Sequence, residues 1–489
     1  MIAHSMEPVR DEDITPTLFV ESLESPAFTR FLKKAALSKT PLLSITLPIA
    51  GIDPLAALEI KHNYEEKFYW NHPNNSISIS AAGKIRELKA TGKNRFKEIS
   101  DQTEDLKNEI EAYTSFNHSM AGPLFLGGYS FNDHNIGSVW KKFAAARFVL
   151  PEWMLIEIEN FHLLTLIIEK KNRTADDIYQ EVIFRITDFL NLAGELNHSD
   201  KEKIFLNNIL CTLQQPEDRR KWIQKVEIAK SEIAKGTFEK IVLARSLTLQ
   251  SRCKLKPTVL AHHLREAYPE CYNFLIQKDH DTSFIGATPE RLASFRDGEF
   301  STEGLAGSIS RGRSALEDAS LAHSLLKSKK DRDEHQFVVQ SIGDSLEKFS
   351  YRVEHPRQPK IKKLHNVQHL FTPIKATIKE GVHIHELIRE LHPTPAVGGY
   401  PKKMAMPHIH EIEQIDRGWY AAPIGWFNLT GSGEFAVAIR SALLNDNTAT
   451  LYAGCGIVAD SDPEKEWKET LLKFTPLLDA LNRLDEEYA

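Results

Sequence analysis

Residues 423–454 read Pro423-Ile-Gly-Trp-Phe-Asn-Leu-Thr-Gly-Ser-Gly-Glu-Phe-Ala-Val-Ala-Ile-Arg-Ser-Ala-Leu-Leu-Asn-Asp-Asn-Thr-Ala-Thr-Leu-Tyr-Ala-Gly454. Three strands are expected here, at 423–429, 434–444 and 448–454, and a helix follows from Pro463 to about Leu484. Asp462 is a good N-cap for that helix and Pro463 suits its first position. Working back, helices are expected at about 315–329, 333–349 and 383–391. A β-rich stretch lies at 364–380, with strands near 240–249, 272–278, 283–295 and 299–304. The helix over 222–235 stops at Gly236. Strands come in clusters and then helices. That order predicts an α+β fold, an α/β sandwich with largely antiparallel sheets, over a βαβ series.

Residues 17–215 alternate short apolar runs with turn signals. Strands are expected at 41–48, 126–131 and 161–169, and helical patterns at about 81–115 and 174–195. The polar stretches 193–203 and 214–219 read as connections. No fixed-period repeat occurs, and neither GxGxxG nor GxxxxGK[ST] is present, so a nucleotide site has no local support. The texture of the chain changes after the second polar connection, which divides it into 1–215 and 216–489, two regions of the same fold.

A chain of 489 residues can bury a large core. Its net charge of −6, with many charges of both signs, gives no reason to expect nucleic acid or an anionic membrane as partner. Cys211, Cys253, Cys271 and Cys455 are scattered, so neither a zinc site nor a disulfide framework is expected. Met1 to Pro16 lacks a basic region followed by an apolar core, and no run of about 18 apolar residues exists. A cytoplasmic protein is the expectation.

Lys240 opens the strand-like run Lys240-Ile-Val-Leu-Ala-Arg, and Glu290 lies in the Gly/Pro-bounded turn Gly286-Ala-Thr-Pro-Glu-Arg. They read either as two surface charges or as the base and acid of one reaction. On the last helix Trp467, Leu471, Phe474, Leu478 and Leu481 form the stripe expected to be buried. Glu466, Glu469 and Lys473 lie beside it. They read as a solvated face with an i,i+4 pair, or as carboxylates for Mg²⁺ beside a cation for an anionic substrate. Asp331-Arg-Asp-Glu-His335 opens a helix whose acids complement its dipole or supply oxygen ligands. Strand alternation over 435–444 puts Arg440 on a face with Ala436, Ala438 and Ala442. It reads as a structural ion pair, an edge charge, or a bidentate clamp for a carboxylate. The Gly-rich loops at 303–312, 392–399 and 453–456 are turns or backbone anion sites.

Taken together, these motifs resemble the chorismate-utilising enzymes. The resemblance runs from about 222 to 484. It is carried by Lys240-Ile-Val-Leu-Ala-Arg, Thr288-Pro-Glu-Arg-Leu, Leu305-Ala-Gly-Ser, Asp333-Glu-His, Asn366-Val-Gln-His-Leu, His392-Pro-Thr-Pro-Ala-Val-Gly-Gly, Phe435-Ala-Val-Ala-Ile-Arg, Ala453-Gly-Cys-Gly-Ile-Val and Ser461-Asp-Pro-Glu-Lys-Glu-Trp. Phe125-Leu-Gly-Gly-Tyr-Ser-Phe and the stretch from Trp140 to Pro151 look like its isochorismate synthase branch.

The resemblance implies two stacked, largely antiparallel sheets with helices outside. It implies Mg²⁺ on Glu334 and Glu469, with Asp331 and Glu466 in an outer shell. Arg440, Tyr420 and the Gly454 backbone would hold the enolpyruvyl carboxylate of chorismate. Lys473 and the Gly307 and Ser308 backbone would face other polar groups, and His369 would line the C4 side. Three residues then choose the branch. The nucleophilic lysine of aminodeoxychorismate synthases is absent from Leu305-Ala306-Gly307-Ser308. Lys240 offers a base for water, which ammonia-using branches lack. Ala396 stands where salicylate synthases tend to carry threonine. The resemblance implies that Lys240 activates water at C2 and Glu290 protonates the departing C4 hydroxyl, with no glutaminase partner. The alternatives are a salicylate synthase and an anthranilate or aminodeoxychorismate synthase component I, Leu23-Glu-Ser25 faintly resembling the amino-acid-binding motif of anthranilate synthases. A non-catalytic binding protein on this fold would have no chemical need for Lys240, Glu290, Glu334 and Glu469 together.

Overall fold

The protein is described as a computed structural model. It describes residues 22–486 except 61–63, 73–76, 117, 134–136, 160, 199–211, 214–218 and 365–366. The expectations for Met1 to Pro16, residues 199–203 and 214–218 of the polar connections, Cys211 and Asn366 lie outside the described residues; residues 193–198, expected as a connection, continue the helix Ala175–His198.

Two sheets carry the fold, with helices outside them. Along the larger sheet the central order is Lys240–Gln250, Thr448–Ile457, Ser441–Asn445, Thr282–Thr288, Tyr272–Gln277, Lys67–His72 and Ile77–Ala82. The smaller places Val367–Ile378, Glu299–Ser310, Arg291–Arg296, Gly433–Val437, Pro423–Asn428 and Leu124–Tyr129 side by side. Among the described residues every strand pairing is antiparallel except Leu42–Pro48 with Ile110–Thr114. Strands from both halves of the chain share both sheets: Lys67–His72 pairs with Tyr272–Gln277, and Leu124–Tyr129 with Pro423–Asn428.

The larger sheet is covered on both faces. Phe284 and Leu443 enter the core between the sheets, whereas Ile285, Ala442 and Leu444 enter a second core under the outer helices. Alternate residues thus go to different apolar layers, so these strands read as continuous apolar runs.

Two expected strands are each two strands. Residues 283–295 divide into Thr282–Thr288 in the larger sheet and Arg291–Arg296 in the smaller. Residues 434–444 divide into Gly433–Val437 and Ser441–Asn445 in the same way. The two segments cross between sheets side by side, because they pair with one another on both sides of the crossing. At the corner Thr288 Oγ1 donates to the Val437 carbonyl at 2.6 Å, and Val437 N donates to the Glu290 carbonyl at 3.0 Å. Alternation therefore fails for Arg440. It is not in a strand but in the turn between two, at φ +50°.

The helix expected over 81–115 is only Arg95–Lys107. Residues Arg86–Ala90 and Ile110–Thr114 are strands, drawn into the sheets by Ala146–Leu150 and Leu42–Pro48, and this pairing overrides their polar, helix-favouring composition. Ser328 separates the next two helices: it ends Ala315–Lys327 and its side chain caps Lys329–Glu347. The last helix, Pro463–Glu486, has the expected Asp462 cap. Its buried stripe is displaced, with Phe474, Leu477 and Leu481 buried but Leu471 45 % exposed.

Candidate active site

Lys240 begins its strand, pairing with Tyr400 on one side, while Val242 and Ala244 pair with Gly456 and Gly454 on the other. Beyond Lys240 and Ile241 that outer edge is sealed by other groups. Val242 N donates to the Gly398 carbonyl and Ala244 N to Glu413 Oε1 at 2.6 Å. Arg417, fixed by Glu413, donates to the carbonyls of Val242 and Val397 at 2.9 and 2.8 Å. Its guanidinium lies over the Phe131 ring, 4.1 Å from the centroid. A buried ion pair thus completes the hydrogen bonding of a strand edge that would otherwise be left unmatched.

The Lys240 ammonium is buried and donates to Glu334 Oε1 at 2.6 Å. Burial works to raise the Glu334 carboxyl, but the charge and hydrogen bond of Lys240 hold it below its ordinary value. A second pair repeats the arrangement. Lys473 donates to Glu469 Oε1 at 2.7 Å and to the Gly454 carbonyl at 2.9 Å. Burial opposes its charge, yet Glu469 raises it above the usual lysine value. Gly454 and Gly456 make room for these groups. A Cβ on Gly456 would come within 2.8 Å of Lys240 Cε, and one on Gly454 within 3.2 Å of the Tyr420 hydroxyl.

Glu290 faces them from the sheet corner. It is 5 % exposed, and its carboxyl is pushed up to about 7, first by burial and then by the charge of Glu303. Lys362, Lys240 and Lys473 pull the other way. The neighbouring corner holds Arg440, whose carbonyl accepts from Ala287 N at 3.2 Å. His369 Nδ1 shares a 2.7 Å hydrogen bond with Ser308 Oγ. Burial, with Arg440, Lys473 and Lys362 nearby, keeps the His369 ring neutral. Gly307, at φ +73°, forms the irregularity that sets Ser308 opposite His369.

These groups line one cleft with a cavity of about 110 Å³. Lys240, Glu290, Gly307, Ser308, Glu334, His369, Ala396, Tyr420, Arg440, Gly454, Glu469 and Lys473 all border it. Asp331 and Glu466 do not. Asp331 lies in the first turn of its helix behind Gly307, where a Cβ would stand 3.1 Å from its own. Glu466 is buried beside Glu469, and burial followed by the charge of Glu469 raises its carboxyl. Arg417 borders the cleft too, and the sequence reading missed it. Its only signal is the i,i+4 spacing from Glu413, which looks like an ordinary surface pair.

Among the described residues no three His, Cys, Asp or Glu side chains gather into a ready-made metal nest. The carboxylates nevertheless suit a hard divalent ion. Glu334 and Glu469 border the same cleft, and Glu466 is crowded by the charge of Glu469. Mg²⁺ needs only one or two carboxylates, completing its shell with water and substrate oxygens.

Residues 29–482 match the family model described as chorismate binding enzyme. The chain is 35 % identical over 450 residues to isochorismate synthase MenF of Bacillus subtilis, covering 90 % of this chain and 93 % of the relative. It is 36 % identical over 441 residues to the salicylate biosynthesis isochorismate synthase of Pseudomonas aeruginosa, covering 88 % and 89 %. Among solved structures, MenF, the menaquinone-specific isochorismate synthase from Escherichia coli, superposes with a TM-score of 0.72 at 25 % identity, covering 93 % of this chain and 99 % of that one. The fold class agrees with the α+β expectation.

Proposed function

The chain belongs to the chorismate-binding enzyme family, and from that premise we propose that it is an isomerase that converts chorismate to isochorismate with Mg²⁺. One observation carries the assignment of roles: Lys240 and Glu290 enter the same cleft from two strand ends in opposite electrostatic settings. Lys240, as the free amine, takes a proton from the water that attacks C2. The ring double bonds shift, the C4–oxygen bond breaks, and Glu290 gives its proton to the departing hydroxyl. Water is consumed at C2 and regenerated from C4, so the reaction is a net isomerisation. A carboxyl pushed up to about 7 still holds its proton near neutrality, which suits a donor.

Arg440, Tyr420 and the Gly454 backbone bind the enolpyruvyl carboxylate in this reading. Lys473 and the Gly307–Ser308 backbone meet the other polar groups, and His369 lines the C4 side beside Ala396. Glu334 and Glu469 would hold Mg²⁺, with Asp331 and Glu466 behind them holding waters. When bound, the ion would supply fixed positive charge for the ring carboxylate. For Lys240 to accept a proton, its nitrogen has to part from Glu334. Residues 216–489 supply this chemistry and 1–215 the scaffold. The proposal includes a cytoplasmic protein acting without a glutaminase subunit.

The test is product analysis with chorismate and Mg²⁺ and no ammonia. Isochorismate without pyruvate is expected, and chelation of Mg²⁺ should stop turnover. Pyruvate release would point to a salicylate synthase, and strict ammonia dependence would overturn the assignment.

A further inference from the structure

Outside the cleft lining, one ion pair touches the backbone on both flanks of Glu290. Lys362 Nζ donates to the Pro289 carbonyl at 2.9 Å and to Glu303 Oε1 at 2.9 Å. The same Glu303 oxygen accepts from Arg291 N at 3.0 Å. The carbonyl before Glu290 and the N–H after it are thus tied to one bridge. Glu303 is buried, while the Lys362 side chain keeps 25 % of its exposure and lies over the Phe371 ring. Lys362 comes from the short strand Lys360–Lys363, opposite His369. Glu303 comes from the middle of Glu299–Ser310.

We propose that Lys362 and Glu303 are a positioning pair for the general acid, fixing the corner that carries Glu290 and setting the charge its carboxyl faces. The corner is where the chain leaves one sheet for the other, so strand pairing alone does not fix it. Its other ties are Val437 N on the Glu290 carbonyl, Glu290 N on Thr288 Oγ1 at 3.4 Å and Thr288 Oγ1 on the Val437 carbonyl. The groups facing Glu290 are Lys240 from its strand end, Lys473 from the last helix, Arg440 from the neighbouring corner, His369, Glu303 and Lys362. Glu334 and Glu469 border the same cleft, each paired with a lysine; Glu303 raises the Glu290 carboxyl and Lys362 lowers it. Neither residue borders the cleft, so neither touches substrate.

This inference rests on Glu290 as the acid, and the experiment separates the two. The alkaline limb of kcat/KM is measured on the Mg²⁺-loaded enzyme for wild type, Glu290→Gln, Glu303→Gln, Lys362→Met and the double variant. The carboxyl titration is followed in parallel by infrared difference against Glu290→Gln, which needs no turnover. Glu303→Gln should move the limb down by about one pH unit or more, and Lys362→Met should move it up by a similar amount, as expected for a nearby charge. The double variant avoids a buried unpaired charge and should fall between them. Lys362→Arg should restore the wild-type limb. If Glu290→Gln keeps near-normal turnover, the acid assignment fails. If Glu290→Gln is inactive but the pair variants only lower the rate equally at every pH, or shift the limb in the same direction, the positioning role fails.

Discussion

The two flanks of the cleft are built in opposite ways. On the lysine flank both cations are matched, Lys240 by Glu334 and Lys473 by Glu469. Their side chains come from regular elements, a strand end and a helix. On the acid flank Glu290 and Arg440 come from two adjacent corners where strands change sheets. There burial and the charge of Glu303 favour the protonated carboxyl over the ion. The same cleft therefore keeps one carboxylate, Glu334, charged and another, Glu290, neutral. In the proposed reaction Glu290 can deliver its proton as it stands, whereas Lys240 can take one only after it has lost its own and parted from Glu334.

The largest effect should come from removing the base. Lys240→Ala is expected to cost about 10²–10⁴-fold in kcat, the usual range for a general base, with little change in substrate affinity. Steady-state kinetics with an independent binding measurement check this. Near-normal turnover would mean that the lysine flank supplies charge alone.

Next in size is the support under that flank. Glu413→Ala leaves Arg417 buried without its carboxylate and Ala244 N without its acceptor. Breaking a buried pair in this way typically costs about 3–5 kcal/mol. A denaturant titration should show that loss. A loss below about 1 kcal/mol would mean that water or the strand itself satisfies the edge. On the acid flank Lys362 and Glu303 hold the backbone at Pro289 and Arg291, so Glu303→Gln should shift the pH dependence in addition to any loss of stability.

The sequence made the lysine flank easier to read than the acid flank. Lys240 opens a plain apolar strand, and Glu469 and Lys473 sit at helical spacing, so local pattern placed them well. The cap at Asp462 was legible for the same reason. On the acid flank the Gly/Pro-bounded turn at Glu290 was legible, but the unbroken strand expected over 283–295 and the strand position of Arg440 were not borne out. Thr282–Thr288 is buried along its whole length, so alternation carried no information about where one strand stopped and the next began. What fixes both corners is contact between segments about 150 residues apart, Thr288 with Val437, and no local rule reports it. Arg417 was invisible because a helix-spaced Glu–Arg pair looks the same whether it seals a strand edge or faces water. The roles of Glu334 and Glu469 came from family motifs, since two acids in a first turn or on a helix face have simpler explanations. The break-up of 81–115 into strands and a short helix likewise depended on distant partners.

The smallest predicted effect tests the contrast between flanks directly, through pH. Glu290 must be protonated to act, and its carboxyl lies at about 7. Acting alone it should lower kcat/KM about twofold as pH rises to 7, and about tenfold per unit beyond. A bound dianion favours the protonated form, so the same limb in kcat should lie higher. Stability carries the same signature with opposite signs on the two sides. Glu290 is raised above its unfolded value of about 4.3, so its contribution is fully present below that pH and is lost as pH rises through about 7. Glu334 is lowered, so its contribution is present above the unfolded value and is lost as pH falls through its lowered value. The melting temperature of Glu290→Gln, compared with wild type, should therefore rise progressively between about pH 4 and pH 7, because there the unfolded wild-type chain ionises Glu290 while the folded one keeps it protonated. For Glu334→Gln the difference should run the other way, the variant losing ground to wild type as pH rises through the acidic window that ends at the unfolded value and staying level above it. Parallel pH curves for the two variants would mean that the flanks are electrostatically alike, and the division between base and acid would have to be drawn elsewhere.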